Sequence, residues 1–195
     1  MQKIHGVNTH SQSQLHGPFR QSSEKLGIDF DLKEKQIEIL KALYTGKDCV
    51  GILPTGYCKS LICQHLPYFL QRKFGSSQPK LVSTVCPLNS LMEDQCMALR
   101  KKGLRVCMLN TEGTKGLSYK LDNSSSDDED EGDDKEVVPK FVQLPAIQDG
   151  NVDLLYSHPE ALFTGKAMSK MLRSDKYQKR SGAIVVDEVH IVKQW

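Results

Sequence analysis

No stretch of this sequence is long and apolar enough to cross a bilayer, which takes roughly 18 to 20 apolar residues in succession. The opening segment MQKIHGVNTHSQSQLHG also lacks the apolar core of a secretion signal. Both absences lead us to expect no membrane association and a protein that stays inside the cell. The six cysteines contain no C-x-x-C pair, and several lie within apolar runs, so reduced core thiols are expected in place of a disulfide framework. His5, His10 and His16 stand in a polar stretch without partner cysteines, a poor basis for a metal site. Internal repeats are absent. What remains is a chain of 195 residues with 38% hydrophobic content, enough for one domain with a substantial core.

The net charge of +2 hides an asymmetry. Residues 123–136, NSSSDDEDEGDDKE, hold eight acids and one lysine, a local charge of −7, so the remainder carries +2 − (−7) = +9. Eight acids this close repel one another and resist packing, which predicts a disordered acidic insertion. The basic remainder invites a polyanionic partner such as nucleic acid. Residues 1–24 are polar, without hydrophobic periodicity, and are expected to form a disordered tail ahead of a domain over 25–195.

Within that domain, LKEKQIEILKALYTG has helical spacing and stops at Gly46. DCVGILPTG predicts a short strand leading into a loop, and KSLICQHLPYFLQRKFG a helix behind it. KLVSTVCP reads as a strand, LNSLMEDQCMALRKKG as a helix ending at Gly103, and LRVCMLN as another strand. Residues 137–152 are expected to resume helical structure, DLLYSHPEAL to supply a strand and turn, and TGKAMSKMLRSDKYQK a helix. GAIVVDEVH reads as a buried strand running into two acids. Alternation of strands and helices predicts an α/β fold with a parallel sheet.

Two segments carry chemistry. LPTGYCKS at 53–60 follows the apolar run and opens a helix, the arrangement in which backbone N–H groups surround phosphates, a lysine reaches the β/γ-phosphates and a hydroxyl holds Mg2+. Thr55, Gly56, Lys59 and Ser60 meet those demands in order, with Tyr57 between them. Leu53 and Cys58 occupy the two positions that the strict G-x-x-x-x-G-K-[ST] pattern gives to glycine, so a Pro-Thr-Gly turn entering an amphipathic helix is an open alternative. AIVVDEVH places Asp187 and Glu188 at a strand tip, where one acid can hold Mg2+ through water and its neighbour can orient or deprotonate an attacking water.

The ordered set KEKQ, LPTGYCKSLICQHLP, CPLNSLMEDQ, YSHPEAL and VVDEVHIVKQW resembles the first motor domain of the RecQ-type DNA helicases, within helicase superfamily 2, over roughly residues 26–195. The resemblance implies a RecA-like P-loop NTPase domain, a mostly parallel sheet flanked by helices and interrupted by the acidic insertion. It implies ATP and Mg2+ as cofactors and single-stranded or forked DNA as partner. Gln36 matches the adenine-recognising glutamine, with Lys33 where the family usually has arginine, a change that removes a planar bidentate fork. Thr55, Gly56, Tyr57, Cys58, Lys59 and Ser60 match the phosphate and Mg2+ loop, Asp187 and Glu188 the Mg2+ and water-activating pair, and His190 the histidine linking the ATP site to the DNA-responsive part. Ser90 matches a DNA-backbone contact, Pro159 and Glu160 a second DNA-contacting turn, and Trp195 the start of an aromatic loop that senses single strands.

The family continues beyond that tryptophan into a second motor domain with an arginine finger, so the chain reads as a fragment truncated after the Asp-Glu-x-His motif. The resemblance further implies a role in DNA repair and recombination, in the nucleus, or in the cytoplasm of a bacterium. Two other functions stay open: a nucleotide- or DNA-binding module impaired by Cys58 and the absent domain, and an RNA helicase of the DEAD-box sort.

Overall fold

The computed structural model describes residues 9–109, 147, 151–163 and 166–189. Four strands form one all-parallel sheet in the order β2-β3-β1-β4. They are β1 (Leu81–Val85), β2 (Val106–Leu109), β3 (Leu154–Ser157) and β4 (Ser181–Val186). Strand β1 is buried along its whole length, as expected for a central strand covered on both faces. In register, Val82 lies beside Leu154 and Ala183, and Thr84 beside Tyr156 and Val185.

Helices α1 (Thr9–Leu26), α2 (Glu34–Tyr44), α3 (Lys59–Lys73) and α4 (Asn89–Lys101) precede β2. Helices α5 (Pro159–Phe163), α6 (Lys166–Leu172) and α7 (Asp175–Arg180) lie between β3 and β4. Two apolar clusters result, one on each side of the sheet's alternating side chains. Leu66, Phe69 and Leu70 of α3 pack with Val82, Met92 and Leu154. Leu81, Val85, Leu155 and Ile147 pack with Met168, Met171 and Tyr177. Two predicted helix ends coincide with glycines in the left-handed region, Gly46 (φ 83°) and Gly103 (φ 76°), where a side chain would be strained.

Three expectations change. The polar N-terminal stretch expected to be disordered over 1–24 contains helix α1 from Thr9, and Ser22 and Leu26 are buried while Phe19 stacks against Phe69 with ring centroids 4.8 Å apart. Two buried residues and a half-buried aromatic at helical spacing suffice to dock a helix that is polar elsewhere. Residues 48–53, expected as a strand, form none: Val50 and Ile52 are 81% and 87% exposed, and among the described residues no strand pairs with the segment. Among the described residues strand β4, expected to be buried, pairs only with β1, leaving Ile184 and Val186 exposed. The acidic run and most of 137–152 fall outside the described residues. Among those described, no helix is long and apolar enough to cross a membrane.

At the opposite end of the sheet from the candidate site, Asp153 is clamped by Arg105 through bonds of 2.9 and 2.6 Å, with Arg180 at 3.9 Å. Arg180 also donates to the carbonyls of Pro79 and Val152, tying the start of β4 to the strands beside it.

Candidate functional site

A parallel sheet collects the carboxyl ends of its strands, and the loops that follow them, along one edge. Here that edge receives the start of α4 after β1, the start of α5 after β3, and Asp187 and Glu188 after β4. The loop at 54–58 and the N-terminus of α3 face the same place, so Thr55, Gly56, Tyr57, Cys58, Lys59, Ser60, Asp187 and Glu188 line a single cleft of about 380 Å3.

The loop is held from behind. Gln36, almost fully buried in the first turn of α2, accepts the Lys33 backbone N–H at 2.8 Å. Its amide nitrogen donates to the Tyr57 carbonyl at 2.8 Å and to the Cys58 carbonyl at 3.3 Å. Lys33 Nζ donates to the Gly56 carbonyl at 3.2 Å and sits 4.5 Å from the centre of the Tyr57 ring, a cation–π contact. Gln36 and Lys33, assigned by resemblance to base recognition, thus act in this structure as clamps on the loop.

Inside the loop, Gly56 takes φ 79° and Cys58, which caps α3, takes φ 50° and ψ 56°. The left-handed conformation costs an L-residue roughly 1 to 2 kcal/mol, which is why glycine suits this position better than cysteine. Glu188 is the other non-glycine residue with positive φ among those described, at 51°. Both strained residues line the cleft, as strain at functional sites tends to do. Asp187 is anchored by its N–H to the Val85 carbonyl at 2.9 Å, and its carboxylate accepts the Glu188 N–H at 2.9 Å. Glu188 then faces Lys59 across the cleft, with Nζ and Oε1 3.7 Å apart.

This arrangement suits a phosphate ester and its counter-ion. The first turn of α3 presents N–H groups without intrahelical acceptors, Lys59 adds a full positive charge, and Ser60 and Asp187 offer oxygen ligands of the kind Mg2+ prefers. Cys58 is the misfit, since it brings a side chain to the cleft lining at a left-handed position that suits glycine. A second cleft of about 750 Å3 lies between α1 and α2, lined by Phe19, Phe30 and Ile37, but it gathers no comparable set of groups.

The candidate DNA contacts lie on the same edge. Ser90 is exposed in the first turn of α4; Pro159 is buried and Glu160 exposed at the start of α5. His190 and Trp195 fall outside the described residues. Sequence reasoning missed the floor of the cleft, where Cys63, Thr84, Cys86 and Tyr156 sit beneath the loop. Burial pushes the Cys63 thiol up to about 12, with nearby Asp187 adding to the effect, and raises Cys86 and Tyr156 as well. The only sequence signal for this floor was a polar residue at matching depth in two apolar strands.

Comparison with known proteins agrees with this geometry. Residues 33–195 match the DEAD/DEAH box helicase family. Among similar proteins, "ATP-dependent DNA helicase hus2/rqh1" of Schizosaccharomyces pombe is 32% identical over 180 residues, covering 89% of this chain and 12% of the relative. "ATP-dependent DNA helicase Q1" of Pongo abelii is 32% identical over 161 residues, covering 82% of this chain and 20% of the relative. "RecQ-like DNA helicase BLM" of Xenopus laevis is 26% identical over 163 residues, covering 84% and 10%. The chain therefore spans a fifth or less of the length of these three relatives.

Proposed function

The chain belongs to the DEAD/DEAH box helicase family and is homologous to the RecQ-type DNA helicases, and from that premise we propose that it is the ATP-binding half of a motor that couples ATP hydrolysis to DNA unwinding. The observation that carries the proposal is the convergence of Lys59, Ser60, Asp187 and Glu188 on one cleft, with Lys59 and Glu188 at 3.7 Å. ATP with Mg2+ supplies the phosphoryl group whose hydrolysis drives such motors. Lys59 would hold the β/γ-phosphates, Ser60 and Asp187 the Mg2+ sphere, and Glu188 would orient the attacking water and take its proton. Lys33 and Gln36 would set the loop that receives the phosphates, and His190 would pass the state of the site to the DNA-facing segments.

On the same sheet edge, Ser90, Pro159 and Glu160 would meet the backbone of single-stranded or forked DNA, and Trp195, outside the described residues, would stack on its bases. The relatives named as DNA helicases favour DNA over RNA as partner.

Mg-ATP titration calorimetry on this chain tests the reading. Binding is expected for the wild type and loss of measurable binding for Lys59→Ala; no heat from the wild type, with the chain folded by circular dichroism, would sink it. A second reading, a binding module with little turnover, is favoured by one observation: the strained Cys58 in the phosphate cradle. Binding without hydrolysis on adding single-stranded DNA would select it.

A further inference from the structure

The residues immediately before the four strands are Arg105, Asp153, Lys80 and Arg180, taken in the spatial order β2-β3-β1-β4. In a parallel sheet all four lie along the amino edge, roughly 16 Å of strand away from the cleft. Helices α3, α4 and α7 end at the same edge, with Arg72 and Lys73, Arg100 and Lys101, and Lys179 and Arg180 in their last turns. Contacts hold these ends against the strands: Lys80 Nζ donates to the Lys179 carbonyl at 2.8 Å, and Arg100 Nε to the Val106 carbonyl at 3.0 Å.

Residues 72–80, 100–105 and 176–180 contain ten lysines and arginines and no acid, with the buried Asp153 as the carboxylate set among them. Ten against one, 10 − 1 = +9, equals the whole excess that the chain carries outside residues 123–136, so everything else outside that run balances. Arg72, Lys101, Lys102 and Lys179 are exposed and form no ion pair among the described residues. The negative end of a helix dipole favours a cation in the last turn. That effect leaves Lys80 and Arg105 unexplained, since neither belongs to a helix. Like charges at this density repel one another until a polyanion lies across them.

The same surface carries an aromatic. Phe74 is 54% exposed, with Lys73 Nζ and Lys80 Nζ 5.3 and 5.2 Å from the centre of its ring. A ring beside cations is the pairing that holds a single strand: the cations take phosphates and the ring stacks on a base. A membrane surface would instead be met by a broader apolar face beneath the charges.

We propose that the amino edge of the sheet is a second nucleic-acid surface, which takes the phosphate backbone of a single strand along Arg72, Lys80, Lys101, Lys102 and Lys179 and stacks a base on Phe74. It lies at the opposite end of the sheet from Ser90 and Glu160, so a strand bound here leaves the cleft and the segments beside it clear. Its attraction to phosphate needs no nucleotide in the cleft.

Fluorescence anisotropy with a labelled oligothymidylate of about 20 nucleotides, without nucleotide and over a series of salt concentrations, tests the proposal. Each phosphate contact contributes about 0.7 to the slope of log affinity against log salt for a single strand. A variant carrying Arg72→Gln, Lys101→Gln and Lys179→Gln is expected to lose about 2 from that slope and roughly tenfold or more in affinity at low salt. The same charge change made by Lys25→Gln, Lys35→Gln and Lys170→Gln, exposed on α1, α2 and α6, should leave the slope as it is. In the wild type, a photoreactive thymidine analogue in the oligonucleotide should crosslink at Phe74. An edge variant with the wild-type slope overturns the proposal, as does an equal loss in both variants, or crosslinks confined to the Ser90 and Glu160 side. Wild type that binds phosphatidylserine vesicles but no oligonucleotide gives the edge to a membrane and also overturns it. If the triple variant unfolds, as seen by circular dichroism, Lys101→Gln alone is read, with a loss of about 0.7 in slope expected. Mg-ATP calorimetry is independent of all these outcomes, so a failure here leaves the nucleotide cleft untouched.

Discussion

Cys58 holds φ 50° at a point where a glycine would sit without strain, and it lines the cleft beside Lys59. That strain, roughly 1 to 2 kcal/mol, is present before any nucleotide arrives, so its relief bears on folding and not on affinity. Removing the side chain opens the cleft, and Cys58→Gly is therefore expected to tighten Mg-ATP binding several-fold, as measured by calorimetry under reducing conditions. Equal affinities would mean that the loop tolerates cysteine. His65 offers a different single-residue test. It is fully buried in α3, with Nδ1 2.7 Å from the Ser22 hydroxyl of α1, and burial lowers it from 6.5 to about 4. The folded protein disfavours the charged ring while the unfolded chain takes up a proton near pH 6.5. Stability is thus complete above that pH and is lost as pH falls from 6.5 toward 4, by up to roughly 3 kcal/mol. Thermal unfolding of wild type and His65→Gln across that interval checks this: the variant should show a shallower decline, and parallel curves would exonerate His65.

The elements differ in how plainly their residues announced them. Strand β1 and helix α4 follow from uninterrupted apolar or helical spacing and from Gly103, because local pattern and tertiary burial agree there. Helix α1 was hidden since its docking rests on Phe19, Ser22 and Leu26 in a setting too polar for periodicity to stand out. Residues 48–53 misled in the opposite sense: an apolar run has strand propensity, but only a neighbour makes a strand. The loop and the two acids were legible as motifs. The clamp by Gln36 on the Tyr57 and Cys58 carbonyls was not, since nothing local tells which of its possible partners a glutamine will choose. At this scale the Asp153 clamp is the most informative target. Removing a nearly buried carboxylate takes away the acceptor that Arg105 holds at 2.9 and 2.6 Å and the negative charge facing Arg180, at a cost of roughly 3 kcal/mol. Asp153→Ala should lower the urea midpoint accordingly, and a change under about 0.5 kcal/mol would show that solvent compensates for the lost pair.

The sheet as described has two edges, β2 and β4, and β4 is the one that exposes large apolar side chains. Strand β4 lacks a second neighbour, and Ile184 and Val186 lie exposed on it, as do Val50 and Ile52 on the segment leading into the loop. Unpaired edges with apolar side chains promote pairing between copies, and a lysine on the edge suppresses it. The chain is expected to self-associate at high micromolar concentration, and Ile184→Lys to shift it toward monomer in sedimentation velocity; identical profiles would remove the edge as the cause. The same strand also sets a timetable. Leu81 pairs with Ser181 and Val85 with Val186, so the middle of the sheet joins residues about a hundred positions apart. During synthesis β1 emerges long before β4, and the acids at the tip of β4 reach the loop only after that distant pairing closes. Pairing across such separation is slow and leaves partly built sheets exposed. A ribosome stalled before residue 181 would therefore carry a chain whose 54–58 loop is already made but whose acids have not yet arrived, and chaperones should hold it longest at that point.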